Sequence, residues 1–212
     1  LLYNISGVCY KAIDKLDAAV ESFEKALAIK PDYTEAYNNL GFTFQGLGQL
    51  DAAINCYKKA ITLKPDYFVA HNNLGNAFKE LSQLDTAVKC YKKAITLKPD
   101  YTDAHYNLGN AFKELGQLDD AIKSYEQALA IDPGYADAYN NLGVTLQELD
   151  QLDAAVKCYE QAVVLKPDYI DAHNNLGVVL VQLGQLDDAV KCYKQAIAVK
   201  PDYAEAHNNL GN

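Results

Sequence analysis

Asparagine is the residue through which this chain could do chemistry, and it recurs in register. Asn39, Asn73, Asn107, Asn141, Asn175 and Asn209 stand 34 residues apart, and Asn38, Asn72, Asn140, Asn174 and Asn208 directly precede five of them, with Tyr106 as the exception. Asn76, Asn110 and Asn212 follow three residues further on. A carboxamide offers two N–H donors and an acceptor. One side chain can therefore pair with both the N–H and the C=O of a residue in an extended peptide, whatever that residue's own side chain. Each pairing contributes only about 0.5–1.5 kcal/mol net, so affinity has to come from the row. The same row could instead satisfy neighbouring backbone or hold water, and both readings stand at this point.

Other reactive residue types recur too, with blander readings. His71, His105, His173 and His207 share one place with Tyr3, Tyr37 and Tyr139. One histidine per 34 residues does not converge on an ion held at ligand distances of ~2 Å, and exchange with tyrosine marks an amphipathic, partly buried site. Glu35, Asp103, Asp137, Asp171 and Glu205 could select a basic ligand, though helix capping explains them as well. Lys79 and Lys113, with Glu80, Glu114 and Glu148, read as a solvated face. There is no Gly-rich phosphate loop, no Ser/His/Asp set in credible proximity and no carboxylate pair outside the caps. The expectation is a protein that is not an enzyme and holds no cofactor and no metal.

The elements that position the asparagines follow from the period. Pro31, Pro65, Pro99, Pro133, Pro167 and Pro201 are 34 residues apart, as are Gly41, Gly75, Gly109, Gly143, Gly177 and Gly211. A fixed period of this length marks supersecondary units that must stack to bury their faces. With Pro as position 32, repeats run 34–67, 68–101, 102–135, 136–169 and 170–203, preceded by 1–33 and followed by the partial 204–212. Ala70, Leu74, Ala77 and Leu81 have the 3,4-spacing of one helix face, and Ala87, Val88, Tyr91, Ala94 and Ile95 repeat it in a second helix. Pro ends the second helix by removing a donor and clashing with the preceding turn. Asp32, Asp100, Asp168 and Asp202 then read as N-caps of the next first helix, paired with the acid three residues on. Positions 2, 5, 6, 9, 12 and 13 of the first helix form a polar stripe, with asparagine at 5, 6 and 9.

A 34-residue unit with L-G early, Ala and Phe or Tyr in the middle and Pro near its end resembles the tetratricopeptide repeat (TPR) family. The resemblance covers essentially residues 1–212 as a single array. It implies an all-α, right-handed α-solenoid, a superhelix of helix-turn-helix units, acting as a protein-binding scaffold whose polar stripe lines a concave groove. The A-x-x-N-L-G first helices are also similar to the asparagine-ladder repeats of O-GlcNAc transferase. Some members of the family grip a C-terminal carboxylate with Lys and Arg at positions 2, 5 and 6; here those positions hold acid or Val, Asn and Asn.

Composition agrees with that class of partner. The formal net charge is −9 and all 19 basic residues are Lys, which argues against nucleic acid, whose binding rests on neutralised phosphates. No apolar run nears the ~18–20 residues of a membrane span. The five cysteines read as free thiols, since stacked helices keep equivalent copies ~10 Å apart and a disulfide needs Cα atoms within ~7 Å. The expected partner is a protein or peptide, with no nucleic acid and no membrane, in a reducing, cytoplasmic setting. The first repeat departs from the pattern at Leu2, Ile5 and Ser6 and reads as a cap or degenerate edge. The last stops inside a first helix, leaving an open face suited to self-association. A chain that lacks an initial Met is expected to be a piece of something longer. It could then be the targeting array of an enzyme such as a glycosyltransferase, or a self-assembling element joined through uncapped ends.

Overall fold

The computed structural model describes residues 2–211. First helices are α1 (Leu2–Ala12), α3 (Thr34–Gly46), α5 (Phe68–Glu80), α7 (Thr102–Glu114), α9 (Ala136–Glu148), α11 (Ile170–Gln182) and α13 (Ala204–Leu210). Second helices are α2 (Leu16–Ile29), α4 (Leu50–Leu63), α6 (Leu84–Leu97), α8 (Leu118–Ile131), α10 (Leu152–Leu165) and α12 (Leu186–Val199). No strand occurs among the described residues. The architecture is the helix-turn-helix repeat that the period predicts. Two compact units divide the chain, 1–111 and 112–212, with the boundary inside α7.

In the first unit α1 packs on α2, α2 on α3, α3 on α4, α4 on α5 and α5 on α6. Successive first helices also touch, α1 with α3 and α3 with α5. The second unit repeats this from α8 to α13, with α9 against α11 and α11 against α13. Cores form where a second helix meets the following first helix. Ala53, Ile54 and Tyr57 of α4 close on Leu74 and Ala77 of α5, with Phe44, Ile61, Phe78 and Cys90 around them. Alanines at the crossings, such as Ala36, Ala70, Ala138 and Ala172, are wholly buried, since a larger side chain would hold the helices apart.

The glycine column has a packing cause. A Cβ on Gly41 would stand 2.7 Å from Cε1 of Tyr57, on Gly75 2.5 Å from that of Tyr91, and on Gly143 2.7 Å from that of Tyr159. Carbon atoms in contact sit ~3.5–4.0 Å apart, so only a bare backbone lets each buried tyrosine lie flat on the first helix of its own repeat.

Two turns alternate. Within a repeat the first helix ends on a left-handed residue, Gly48, Gly116 and Gly184 (φ 71–75°) or Asp14, Ser82 and Asp150 (φ 57–59°). Between repeats Lys30-Pro31-Asp32-Tyr33 closes a β-turn, with Tyr33 N–H donating to Lys30 O at 3.2 Å, and Pro sits where its fixed φ suits the turn. Lys30 Nζ lies 5.0 Å over the Tyr33 ring, and Lys166 4.7 Å over that of Tyr169.

This turn overturns the expected Asp caps. Tyr33, Tyr169 and Tyr203 occupy the N-cap positions, and none makes a side-chain capping bond. Asp32, Asp168 and Asp202 are one residue too early, inside the turn. The acids at the start of second helices, Asp17, Asp51 and Asp153, do lie in the first turn, where they complement the dipole. On α1 Leu2 and Ile5 are 74% and 51% exposed, and Ile13, just after it, is 61% exposed.

Candidate peptide-binding face

The asparagine columns occupy two different environments. At position 5, Asn38, Asn72, Asn140 and Asn174 are buried, between 4% and 7% exposed. At position 6, Asn39, Asn73, Asn107, Asn141 and Asn175 are half-buried, and Asn209 is exposed. The difference follows from helix geometry, since residues i and i+1 lie ~100° apart around the axis. Position 5 turns toward the neighbouring first helix and position 6 toward solvent.

A side-chain ladder joins the columns. Within the first unit Asn39 Nδ2 donates to Asn4 Oδ1 (3.3 Å), Asn73 to Asn38 (3.0 Å) and Asn107 to Asn72 (3.1 Å). Within the second, Asn175 donates to Asn140 (3.1 Å) and Asn209 to Asn174 (3.0 Å). Each bond runs from position 6 of one repeat to position 5 of the repeat before it. Asn140 also donates to Asn141 Oδ1 at 3.3 Å. Of the remaining column members, Asn208 is exposed and Asn212 lies outside the described residues.

Further along the first helices a second network forms. Buried Tyr57 donates its hydroxyl to Gln45 Oε1 (2.9 Å), and Gln45 donates to Glu80 of the next repeat. Tyr159, Gln147 and Gln182 repeat this, with Tyr159 Oη to Gln147 Oε1 at 3.0 Å and Gln147 Nε2 to Gln182 Oε1 at 2.9 Å. Tyr91 reaches Asn76 Oδ1 instead, at 2.8 Å. Burial, with minor help from nearby acidic groups, pushes the Tyr57 and Tyr159 hydroxyls well above their usual range, so they act as fixed donors. Sequence reading missed these tyrosines as partners of the polar stripe. The available signal was the Tyr column itself, twelve residues after a Gln in two repeats.

Position 9 varies between repeats, starting with Val8 in the first. It next holds Phe42, 49% exposed and capped by Lys11 Nζ 4.2 Å above its ring, then Asn76 and Asn110, then Val144 and Val178. At position 2 the acids are half-buried or exposed. Asp171 and Glu205 share the hydroxyl of Tyr203, at 3.2 and 2.9 Å.

The histidines are tied to backbone. His71, His105, His173 and His207 each place Nε2 2.8–3.0 Å from the carbonyl of Pro65, Pro99, Pro167 and Pro201. A carbonyl only accepts, so Nε2 carries the proton and the ring clips the inter-repeat turn. No group of three or more His, Cys, Asp or Glu able to hold a metal occurs among the described residues. Cys56, Cys90, Cys158 and Cys192 are free and half-buried, and desolvation pushes their thiols up to about 11. Ser22 and Ser124 fill the same place by donating to Ala18 O and Asp120 O. Apart from this face, a groove of about 660 Å³ lies between α8, α9 and α10, with Ile122, Leu142, Leu146 and Cys158 in its lining.

Two family models match the chain. One, described as a TPR repeat, aligns with residues 9–48 and 46–82; the other, the C-terminal domain of cilia and flagella-associated protein 70, aligns with 67–205. The chain belongs to the tetratricopeptide repeat family. Among solved structures, MamA is 29% identical with a TM-score of 0.71, over 78% of this chain and 97% of its own. PilW, a type IV pilus biogenesis factor, is 22% identical with a TM-score of 0.88, over 99% of this TPR chain and 97% of its own. YrrB, described as a TPR protein with an unusual peptide-binding site, is 23% identical with a TM-score of 0.72, over 91% of this chain and 100% of its own. PilW and YrrB at these identities share the fold. No curated protein sequence matches the chain. Among the described residues, no helix is long and apolar enough to cross a membrane.

Proposed function

We propose that this TPR array is a non-catalytic scaffold that holds an extended segment of a partner protein across its first helices. Position-6 asparagines Asn39, Asn73, Asn107, Asn141, Asn175 and Asn209 read the backbone of that segment. Asn38, Asn72, Asn140 and Asn174 position them, and Asn76 and Asn110 extend the row. One observation carries the reading. After donating one N–H to the preceding repeat, the amides of Asn39, Asn73, Asn107, Asn175 and Asn209 each keep a second N–H and a carbonyl, the pair that a peptide backbone needs. The ladder bond also fixes the amide's orientation before the ligand arrives, which lowers the entropy lost on binding. Neighbouring helices stack ~8–10 Å apart, so each repeat meets about three residues of an extended chain.

The test starts from peptides selected against the array from a random display library. Their affinities are measured for the intact protein and for the triple variant Asn107→Ala, Asn141→Ala, Asn175→Ala, after matched helicity is confirmed. Three lost pairings at ~0.5–1.5 kcal/mol each predict a loss of at least about tenfold. N-methylation of the peptide backbone at every third residue should reproduce the loss. Unchanged affinity on both counts would mean that the columns only hold the repeats together.

A further inference from the structure

From the face of the second unit we infer a chemical preference: a basic segment with an aliphatic side chain at every third residue. This rests on the reading of the first helices as the surface that holds an extended peptide, and it assigns the side chains such a peptide carries.

The geometry begins with α9 and α11. Asn175 bonds to Asn140 at one end of the pair and Gln147 to Gln182 at the other, so the two helices run parallel, side by side. Between these rungs stand Val144 and Val178, each three residues after a position-6 asparagine and hence on the same helix face. Both are half-buried, and Val181, three residues beyond Val178, is 44% exposed. No polar group interrupts the stripe from Val178 to Val181. In the first unit the matching place in α5 is Asn76, already engaged with Tyr91. In α1 and α3 the matching places are Val8, 40% exposed, and Phe42, 49% exposed under Lys11, so the pair of valines on neighbouring first helices between two amide rungs belongs to the second unit.

Charge names the rest of the partner. Helices α9, α11 and α13 carry Asp137, Glu148, Asp171 and Glu205 and no Lys or Arg. The ligand's complementary charge is positive.

Spacing names the conformation. Helices ~8–10 Å apart match three residues of a polyproline II chain, at ~3.1 Å each. That conformation turns once in three residues, so residues i and i+3 face the same way. A β-strand alternates faces with a period of two and would turn every third side chain away from the valines. The preferred segment therefore presents aliphatic residues to Val144 and Val178 with basic residues between them.

Three fluorescein-labelled, end-capped probes test this on the full chain by anisotropy: four triplets of Lys-Leu-Pro, of Lys-Ser-Pro and of Glu-Leu-Pro. The leucine–lysine probe should bind about tenfold or more tightly than either other probe. Replacing Val144→Thr with Val178→Thr, a near-isosteric pair on an open face, should bring it down to the serine probe and leave the serine probe unchanged. Asn141→Ala with Asn175→Ala should weaken both lysine probes alike. Equal binding of the leucine and serine probes, or indifference to the Thr pair, overturns the preference, while the Asn variant still reports separately on peptide holding. Equal binding of the glutamate probe refutes the charge assignment, and failure of all three probes to bind overturns the inference as a whole.

Discussion

Gly143→Ala should destabilise the protein even though alanine is the better helix former. An added Cβ would stand 2.7 Å from Cε1, 2.9 Å from Cδ1 and 3.0 Å from Cζ of Tyr159. Restoring ~3.5–4.0 Å contacts requires the ring to move by about 1 Å. It has nowhere to go, because Tyr159 is 0% exposed and its hydroxyl is bonded to Gln147 at 3.0 Å. Overpacking costs about 1–3 kcal/mol, and loss of the hydroxyl bond adds about 0.5–1.5 kcal/mol. Against this stands a helix-propensity gain of roughly 0.5–1 kcal/mol. The net expectation is a loss of about 0.5–4 kcal/mol. Gly46→Ala is the internal control: its Cβ would meet only Leu16 Cδ1 at 3.5 Å, an ordinary contact, so the same substitution there should be neutral or mildly stabilising. Urea titrations followed by circular dichroism, compared at matched slopes, read both. A cycle with Tyr159→Leu should show favourable coupling to Gly143→Ala. A neutral or stabilising Gly143→Ala, or equal losses at Gly143 and Gly46, would refute the ring as the cause.

Two further outcomes follow from the turns and the thiols. Ser82 stands at φ 58° where three other repeats have glycine at φ 71–75°, so Ser82→Gly relieves ~1–2 kcal/mol of left-handed strain against ~0.5–1 kcal/mol of added chain entropy and should be neutral to stabilising in the same titration, and Ser82→Ala should not stabilise. Burial raises the thiols of Cys56, Cys90, Cys158 and Cys192 from 9.0 to about 11; between those pH values the unfolded chain ionises first, so stability should fall as pH rises through the window. Replacing all four by Ser, as at Ser22 and Ser124, should make that decline shallower, and a decline of unchanged steepness would show that the thiols do not contribute.

The fold was legible because its cause is local and repeated. Pro31 and its five copies end second helices, the 3,4-spacing of Ala70, Leu74 and Ala77 marks a buried face, and the glycine column marks a close approach. The caps were not legible, because Asp32 and Tyr33 compete for one role. A Lys-Pro-Asp-Tyr turn that uses the Tyr33 N–H moves the helix start one residue on. The candidate site was half legible. Its residue type and period stand in the sequence, yet adjacent Asn38 and Asn39 look equivalent until a neighbouring helix covers one of them. The tyrosine hydroxyls that hold Gln45, Asn76 and Gln147 were hidden for the same reason, being set by contacts between helices that pattern alone does not reveal.

Each ladder bond joins position 6 of one repeat to position 5 of the repeat before it, so these junctions are chemically interchangeable, the exception being Asn141, which follows Tyr106. At the level of the gene, a tandem duplication or loss of a whole repeat rejoins two compatible halves wherever the breakpoint falls within the period. An insertion of any other length leaves an amide facing the wrong partner. Lineages carrying this array should therefore change length in whole repeats, with repeats differing chiefly where no junction constrains them, at positions such as 9.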